Sequence, residues 1–327
     1  MKPAVSVIIL VYKVEEYIGE CVRSLFEQTL EDVEYVFVND CTPDASMDVL
    51  ERVLDDYPAR RGQVKILHNE VNRGQAYSRR RGMEAVTGEY IIHCDSDDWM
   101  ELDMLERLYL EARTHDADAV VCGWMRNDQP AMTKYMQEGV NCRDSMLPDI
   151  VAVGEMQSVW RYLFKREVYE RGVEFPLYNQ GEDHTMVVQL AYRSKSIYCV
   201  NRPLYHWRTN MASITNAPGV QAVMNRFDGA CANARQVEAF IERNGQAERF
   251  AKQLTALKLY CMFYLRPLLR KGECISEWRK AFPEIKGKVL FNKSIIFTNQ
   301  IEYLVDMYCP RHMIKAIYRL RRKLASL

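Results

Sequence analysis

The sequence predicts an α/β fold: a mostly parallel sheet flanked by helices, with a C-terminal helical appendage. Three observations predict it. Short apolar runs recur through the first 123 residues, segments with helical periodicity separate them, and from Ala217 onward long helical patterns replace the strands. Strands that alternate with helices of ten or more residues are joined by crossovers, and crossovers make neighbouring strands parallel.

The elements follow in order. "VSVIILV" (5–11) is apolar at every position but Ser6, the pattern of a strand buried on both faces. Ile18, Val22, Leu25 and Phe26 then recur at helical spacing between Glu16 and Thr29. "EYVFV" (34–38) is a second strand, and the polar loop "NDCTPDAS" (39–46) leads to a helix that Ser46 is placed to cap and that ends near Pro58. "VKIL" (64–67), a helix from about Gly74 to Val86, "YIIHC" (90–94), a helix from about Leu102 to Thr114 and "ADAVVCG" (117–123) complete the alternation.

Residues 124–215 are less regular. "RNDQPAMTKYMQEGVNCRD" reads as hairpins or loops, and "WRYLFKREVYERG" (160–172) as a strand and a helix. "YNQGEDHTMVVQLAYRS" (178–194) begins as a polar turn and becomes a helix, with "SIYCV" and "PLYHWR" as further short pieces. The expected division is a domain over 1–215, in two halves at 1–123 and 124–215, and a mainly helical region over 216–327.

Lys+Arg and Asp+Glu both number 44, so no net charge draws the chain toward nucleic acid. None of the ten cysteines forms a C-x-x-C pair, which favours reduced core thiols over a disulfide framework or zinc site. No apolar run approaches a membrane span, and 5–11 is short for a signal-peptide core. A cytoplasmic protein is expected.

In a parallel sheet, ligands bind outside the carboxyl ends of the strands. The loops beginning at Tyr12, Asn39, His68 and Asp95 should all open there. In "YIIHCDSDDWM", Asp95, Asp97 and Asp98 crowd like charge at a strand end, which a cation would relieve. An all-oxygen site suits Mg2+ or Mn2+, bound by Asp95 and Asp97, with Asp98 supporting the turn or closing the shell. The alternative is a solvated loop that caps the next helix. The first loop has neither the G-x-G-x-x-G of a dinucleotide fold nor the G-x-x-x-x-G-K-[ST] phosphate cradle. Asn39 and Asp40 could read a nucleobase edge, and Tyr12 could stack on the base.

Three ordered stretches, "PAVSVIILVYKVEEYIGECVRSLFEQTLEDVEYVFVNDCTPDAS", "NEVNRGQAYSRRRGMEAVTGEYIIHCDSDDW" and "GED" at 181–183, together resemble family 2 of the inverting glycosyltransferases. The resemblance is strong from residue 3 to about 123, looser to about 215, and fades thereafter. It implies the GT-A fold, a Rossmann-like sheet that binds nucleotide-diphospho-sugars, and a donor that is commonly a UDP-sugar. It also implies that Tyr12 and Asp40 hold the base, that Asp95 and Asp97 meet the ribose–diphosphate region and the metal, and that Asp183 is the general base. Glu182 is the competitor for that role, since neighbours in an extended turn face opposite ways; alternatively the acidic pair simply opens a helix. Arg79 would contact the diphosphate or hold the aspartates, and His206 and Arg208 would reach the diphosphate if their segment folds over the donor. Trp99 and Trp160 are pocket walls or packing, whereas His68 and His93 are structural.

Three positions depart from the family pattern. Lys13 stands where Asn is usual, Asn39–Asp40–Cys41 replaces a double aspartate and glycine, and Ser78–Arg79–Arg80 replaces A-R-N. The implied acceptor is a glycan or lipid-linked saccharide; the competing function is an inactive sugar-nucleotide sensor or scaffold. At the C-terminus, "PRHMIKAIYRLRRKLASL" (310–327) puts Met313, Ala316, Ile317, Leu320 and Leu324 on one helical face and bases opposite. Such a helix can lie on an anionic membrane, here the inner face of the plasma membrane, or dock on its own domain. The apolar stretch 254–269 packs in the appendage or builds a homodimer surface.

Overall fold

The computed structural model describes residues 2–126, 129–131, 137–153, 156–210 and 219–325. Parts of the expected hairpin region (127–128 and 132–136) and the segment 211–218 lie outside the described residues.

The strands are β1 (Val5–Val11), β2 (Val33–Asn39), β3 (Val64–His68), β4 (Tyr90–Asp95), β5 (Trp99–Met100), β6 (Ala119–Arg126), β7 (Gln129–Ala131), β8 (Tyr162–Lys165) and β9 (Ile197–Trp207). The helices are α1 (Ile18–Phe26), α2 (Ser46–Asp56), α3 (Gln75–Ala85), α4 (Met104–Thr114), α5 (Arg143–Val151), α6 (Arg166–Glu170), α7 (Glu182–Arg193), α8 (Val220–Arg243), α9 (Ala251–Met262), α10 (Arg266–Leu269), α11 (Ile275–Lys280), α12 (Phe297–Tyr308) and α13 (Arg311–Ala325).

All strands share one sheet in the order β3-β2-β1-β4-β8-β6-β9-β5, with β7 hairpinned onto β6. The first four are parallel, as the alternation predicts. Beyond β4 the sheet is mixed: β8 runs antiparallel to both β4 and β6, while β6 and β9 are parallel. The strand expected over 117–123 is β6, and β8, from residues 162–165, lies between it and β4. "SIYCV" and "PLYHWR" form a single strand, β9, with register shifts where it passes Cys122–Trp124.

Val5, Val7, Ile9 and Val11 bury one face of β1 in a core with Ile18, Val22, Leu25 and Phe26 of α1 and with α2 and α4. On the opposite face α3 approaches closely: a Cβ on Gly82 would lie 2.7 Å from an Ile8 methyl group. Ser46 is the first residue inside α2 and not its cap; its hydroxyl donates to Asp44 Oδ1 and accepts from Val14 N. All ten cysteines are free, seven of them buried.

Two compact units divide the chain. One comprises Met1–Leu147, Gln157–Leu177 and Glu182–Asn210; the other comprises Pro148–Met156, Tyr178–Gly181 and Met211–Leu327. The second is helical, built around Phe227, Val237, Phe240, Phe250, Leu257 and Trp278, all buried. Within it α13 docks through Ile314 and Tyr318, which are buried, and the Tyr318 hydroxyl donates to Asp306 of α12. On the apolar face named from the sequence, Met313 and Leu320 are exposed. Among the described residues no helix is long and apolar enough to cross a membrane.

Candidate functional site

Register aligns the ends of the parallel strands. Val11 pairs with Asn39, Asn39 with His68, and Leu10 with Asp95, so the loops that follow open at one sheet edge. With order 3-2-1-4, the chain reverses its winding direction at β1, where a crevice forms between loops.

Asp40 is buried, and its carboxylate organises this edge. Oδ1 accepts from Asn69 Nδ2 at 2.7 Å and Arg73 N at 2.8 Å, while Oδ2 accepts from Gly74 N at 2.7 Å. It therefore fixes the loop that leads into α3. Half-buried Tyr12 follows Val11, whose carbonyl accepts from Asp40 N at 3.0 Å, and the Lys13 ammonium lies 5.4 Å from the Tyr12 ring centre. Lys13 (φ 54°) and Cys41 (φ 55°) are both left-handed. Asn and Gly enter that region most easily, so two of the three sequence departures fall where the backbone conformation favours the usual residue.

The Asp95–Asp98 turn is held from β9. The Tyr205 hydroxyl donates to Asp98 Oδ2 at 2.8 Å and accepts from Asp95 N at 3.0 Å, while Arg208 N donates to Asp98 Oδ1 at 2.7 Å. Of the two roles open to Asp98, the turn support is the one seen. Burial, then Asp95 and Asp97, push its carboxyl well above the usual range. Asp97 accepts from Asn210 Nδ2 at 3.0 Å. Asp95 is different: burial, then the like charges of Asp183 and Asp97, raise its carboxyl to about 7, against the pull of Arg79. Part of Asp95 touches solvent, yet the protein packed around it removes enough water for desolvation to dominate.

Arg79 reaches the edge from α3 and is buried. Its Nε and Nη2 donate to the two oxygens of Glu182 at 2.9 and 2.7 Å, and Nη2 also donates to Asp183 Oδ1 at 2.8 Å. Burial disfavours the Arg79 charge, but Glu182 and Asp183 outweigh it and hold the guanidinium above its ordinary value. Glu182 is buried, which pushes its carboxyl well up; the Asp183 side chain keeps 26% exposure. The expected extended turn is instead the first turn of α7, so both acids reach the same arginine. Arg79 thus bridges the two neighbouring acids. Beneath it, buried His93 on β4 bonds the Tyr169 hydroxyl at 3.2 Å, and burial with Arg79 nearby keeps its imidazole neutral.

His206 stacks on Trp99 at 4.7 Å and meets Glu101 at 2.6 Å. Arg208 lies 4.6 Å from the Trp99 ring centre and 5.3 Å from that of Tyr17; it bonds the Asp97 carbonyl and pairs with Glu20. The end of β9 thus folds over the aspartate turn. Trp160 packs flat on Tyr205 at 4.1 Å and is buried, so it serves the core. His68, at the end of β3, bonds Asn39.

Sequence reasoning missed Tyr205, Asn210, Glu20 and Tyr169. Each acts through a contact more than 70 residues away in sequence, and no local pattern marks such a partner.

The donor set suits a hard divalent cation. Asp95, Asp97 and Asp183 are oxygen ligands only, and the like charges of Asp183 and Asp97 add to burial in raising Asp95. Among the described residues no group of three or more His, Cys, Asp or Glu is placed to hold an ion. One or two carboxylates completed by phosphate and water is the arrangement these residues fit.

Comparison with known proteins is consistent in kind. The sequence profile "Glycosyl transferase family 2" matches residues 6–171. The "Putative glycosyltransferase EpsH" of Bacillus subtilis is 30% identical over 77% of this chain and 73% of its own length. The "Uncharacterized glycosyltransferase EpsJ" of the same organism is 32% identical over 67% of this chain and 64% of its own. Among solved structures, S. aureus TarS 1-349 in complex with UDP superposes with a TM-score of 0.65 at 15% identity, covering 99% of this chain and 92% of that one. The mannosyltransferase PcManGT from Pyrobaculum calidifontis, in complex with GDP-Man and Mn2+, gives 0.55 at 16% identity, covering 98% and 85%.

Proposed function

The chain belongs to glycosyl transferase family 2, and from that premise we propose that it inverts a sugar in moving it from a UDP-sugar to a hydroxyl of a glycan or lipid-linked saccharide. One observation carries the mechanism: of two adjacent acids on Arg79, only Asp183 keeps solvent access, on the same cluster as Asp95.

Asp183 takes the proton from the acceptor hydroxyl as that oxygen attacks the anomeric carbon. The bond from this carbon to the diphosphate breaks on the opposite face, and the nucleoside diphosphate leaves with the electron pair. Arg79 orients Asp183 through its hydrogen bond, and Glu182 holds Arg79 in place. Tyr12 and the Asp40 loop receive the base. Arg208 and His206, over the aspartate turn, meet the diphosphate. A Mg2+ or Mn2+ ion held by Asp95 and Asp97 would supply positive charge against that developing on the leaving group. Structural neighbours of the same fold are complexed with UDP in one case and with GDP-Man and Mn2+ in the other, which supports a nucleoside-diphosphate donor as a class.

Thermal unfolding with a panel of nucleoside diphosphates and nucleotide sugars, with and without Mn2+, tests it. A ligand at about 100 times its Kd stabilises by ~2.7 kcal/mol. The expected result is a metal-dependent shift with UDP or a UDP-sugar that Asp97→Ala abolishes. A shift with GDP instead replaces the base assignment. A flat panel from folded protein leaves in its place a scaffold, or a site completed only by its acceptor or a membrane.

A further inference from the structure

The helical unit holds an inverted stretch between its 285 and 301 positions. Large apolar side chains stand outside: Phe291 is 92% exposed, Ile296 71% and Phe297 70%. Polar side chains are inside, where Asn292 and Gln300 are buried. Gln300 accepts from Phe291 N at 2.7 Å and donates to the carbonyls of Asn292 and Ile295 at 3.0 and 2.8 Å. Asn292 in turn donates to Lys252 O at 2.9 Å and accepts from Ser294 N at 2.9 Å. Val289 and Ile295 are buried and anchor the loop on both sides. The loop is therefore built, and what it presents is a fixed set of phenylalanines and isoleucines. Phe291 is even held at φ 59°, a conformation unfavourable to a bulky residue.

Charge says what this surface meets. Residues 286–301 contain Lys286, Lys288 and Lys293 and no acidic residue. All three lysines are exposed, and the Lys286 ammonium lies 5.9 Å from the ring centre of Tyr308, itself exposed at the far end of α12. The last helix repeats the combination. Having docked by Ile314 and Tyr318, α13 leaves Met313 and Leu320 outside with Arg311 and Arg319, and 310–325 also lacks an acidic residue. Exposed aromatic and aliphatic side chains among uncompensated lysines and arginines match an interface of apolar chains beneath anionic headgroups. A second copy of this surface would set lysine against lysine.

We propose that the 286–301 loop with the start of α12 is a docking surface for an anionic lipid bilayer, into which Phe291, Ile296 and Phe297 insert while the lysines meet the headgroups. The test is sedimentation of the full chain with vesicles, and it needs no sugar donor. Phosphatidylcholine vesicles are compared with vesicles carrying about 30% phosphatidylglycerol. The expected result is binding to the anionic vesicles only, weakened by salt. Phe291→Ser with Phe297→Ser should weaken it about tenfold or more, and so should Lys288→Glu with Lys293→Glu. These side chains are exposed, so unfolding temperatures should match the unaltered chain and exclude a folding defect. Supernatant protein with both vesicle types overturns the proposal, as does undiminished binding by the serine variant. A dimer on size exclusion that the serine variant dissociates, without vesicle binding, assigns the surface to a second copy instead.

Discussion

Glu182 and Asp183 are neighbours in sequence and share Arg79, yet burial gives them different chemistry. Glu182 has both oxygens on the guanidinium and no room to receive an acceptor, whereas Asp183 spends one oxygen on Arg79 and keeps solvent access. Asp183→Asn should lower kcat for sugar transfer by about 10²–10⁴ while leaving the thermal midpoint nearly unchanged. Glu182→Gln should do the reverse in emphasis, lowering stability because the buried arginine loses the more buried of its two charged partners. A Glu182→Gln enzyme with the larger kcat loss would exchange the two roles. Both acids were legible in the sequence as a motif, but their division of labour was not, because it depends on which one the protein covers.

Elements explain how far sequence patterns reach. The parallel half, β1 to β4 with α1 to α4, was legible because β1, β2 and β4 are buried on both faces and α1, α2 and α4 each carry one apolar stripe. The two-residue β5 was not, since two residues carry no period. Which face of α13 packs was left open by the sequence for a related reason: two apolar stripes share that helix, and a partner selects one. That partner is α12, whose Asp306 accepts from Tyr318. Burial raises Asp306 to about 6, despite the tyrosine hydrogen bond. Between its unfolded value near 4 and 6, the folded state binds the extra proton, so stability falls as pH rises through that window. The contribution is on the order of 3 kcal/mol at most. Urea unfolding of Asp306→Asn, which cannot ionise, should lack this slope and exceed the unaltered chain in stability above pH 6. An identical slope in both proteins would remove Asp306 as its source.

At the scale of the whole molecule, Arg79 joins α3 to the start of α7 across 103 residues of sequence. Arg79→Met leaves Glu182 buried without its counter-charge and should cost about 3–5 kcal/mol in urea unfolding. A change below ~1 kcal/mol would mean that water or another cation replaces the guanidinium. The sequence by itself determined the alternation of strands and helices, the sheet edge where Tyr12, Asp40 and Asp95 gather, and the residue types available there. Those follow from local hydrophobic period and from the rule that parallel strands end on one side. Tertiary structure alone decided the mixed half of the sheet, the grip of Tyr205 on Asp98, and the sharing of Arg79 between two acids. Each of these depends on groups distant in sequence meeting in a low-dielectric interior, where a charge or hydroxyl must find a partner and no local pattern says which.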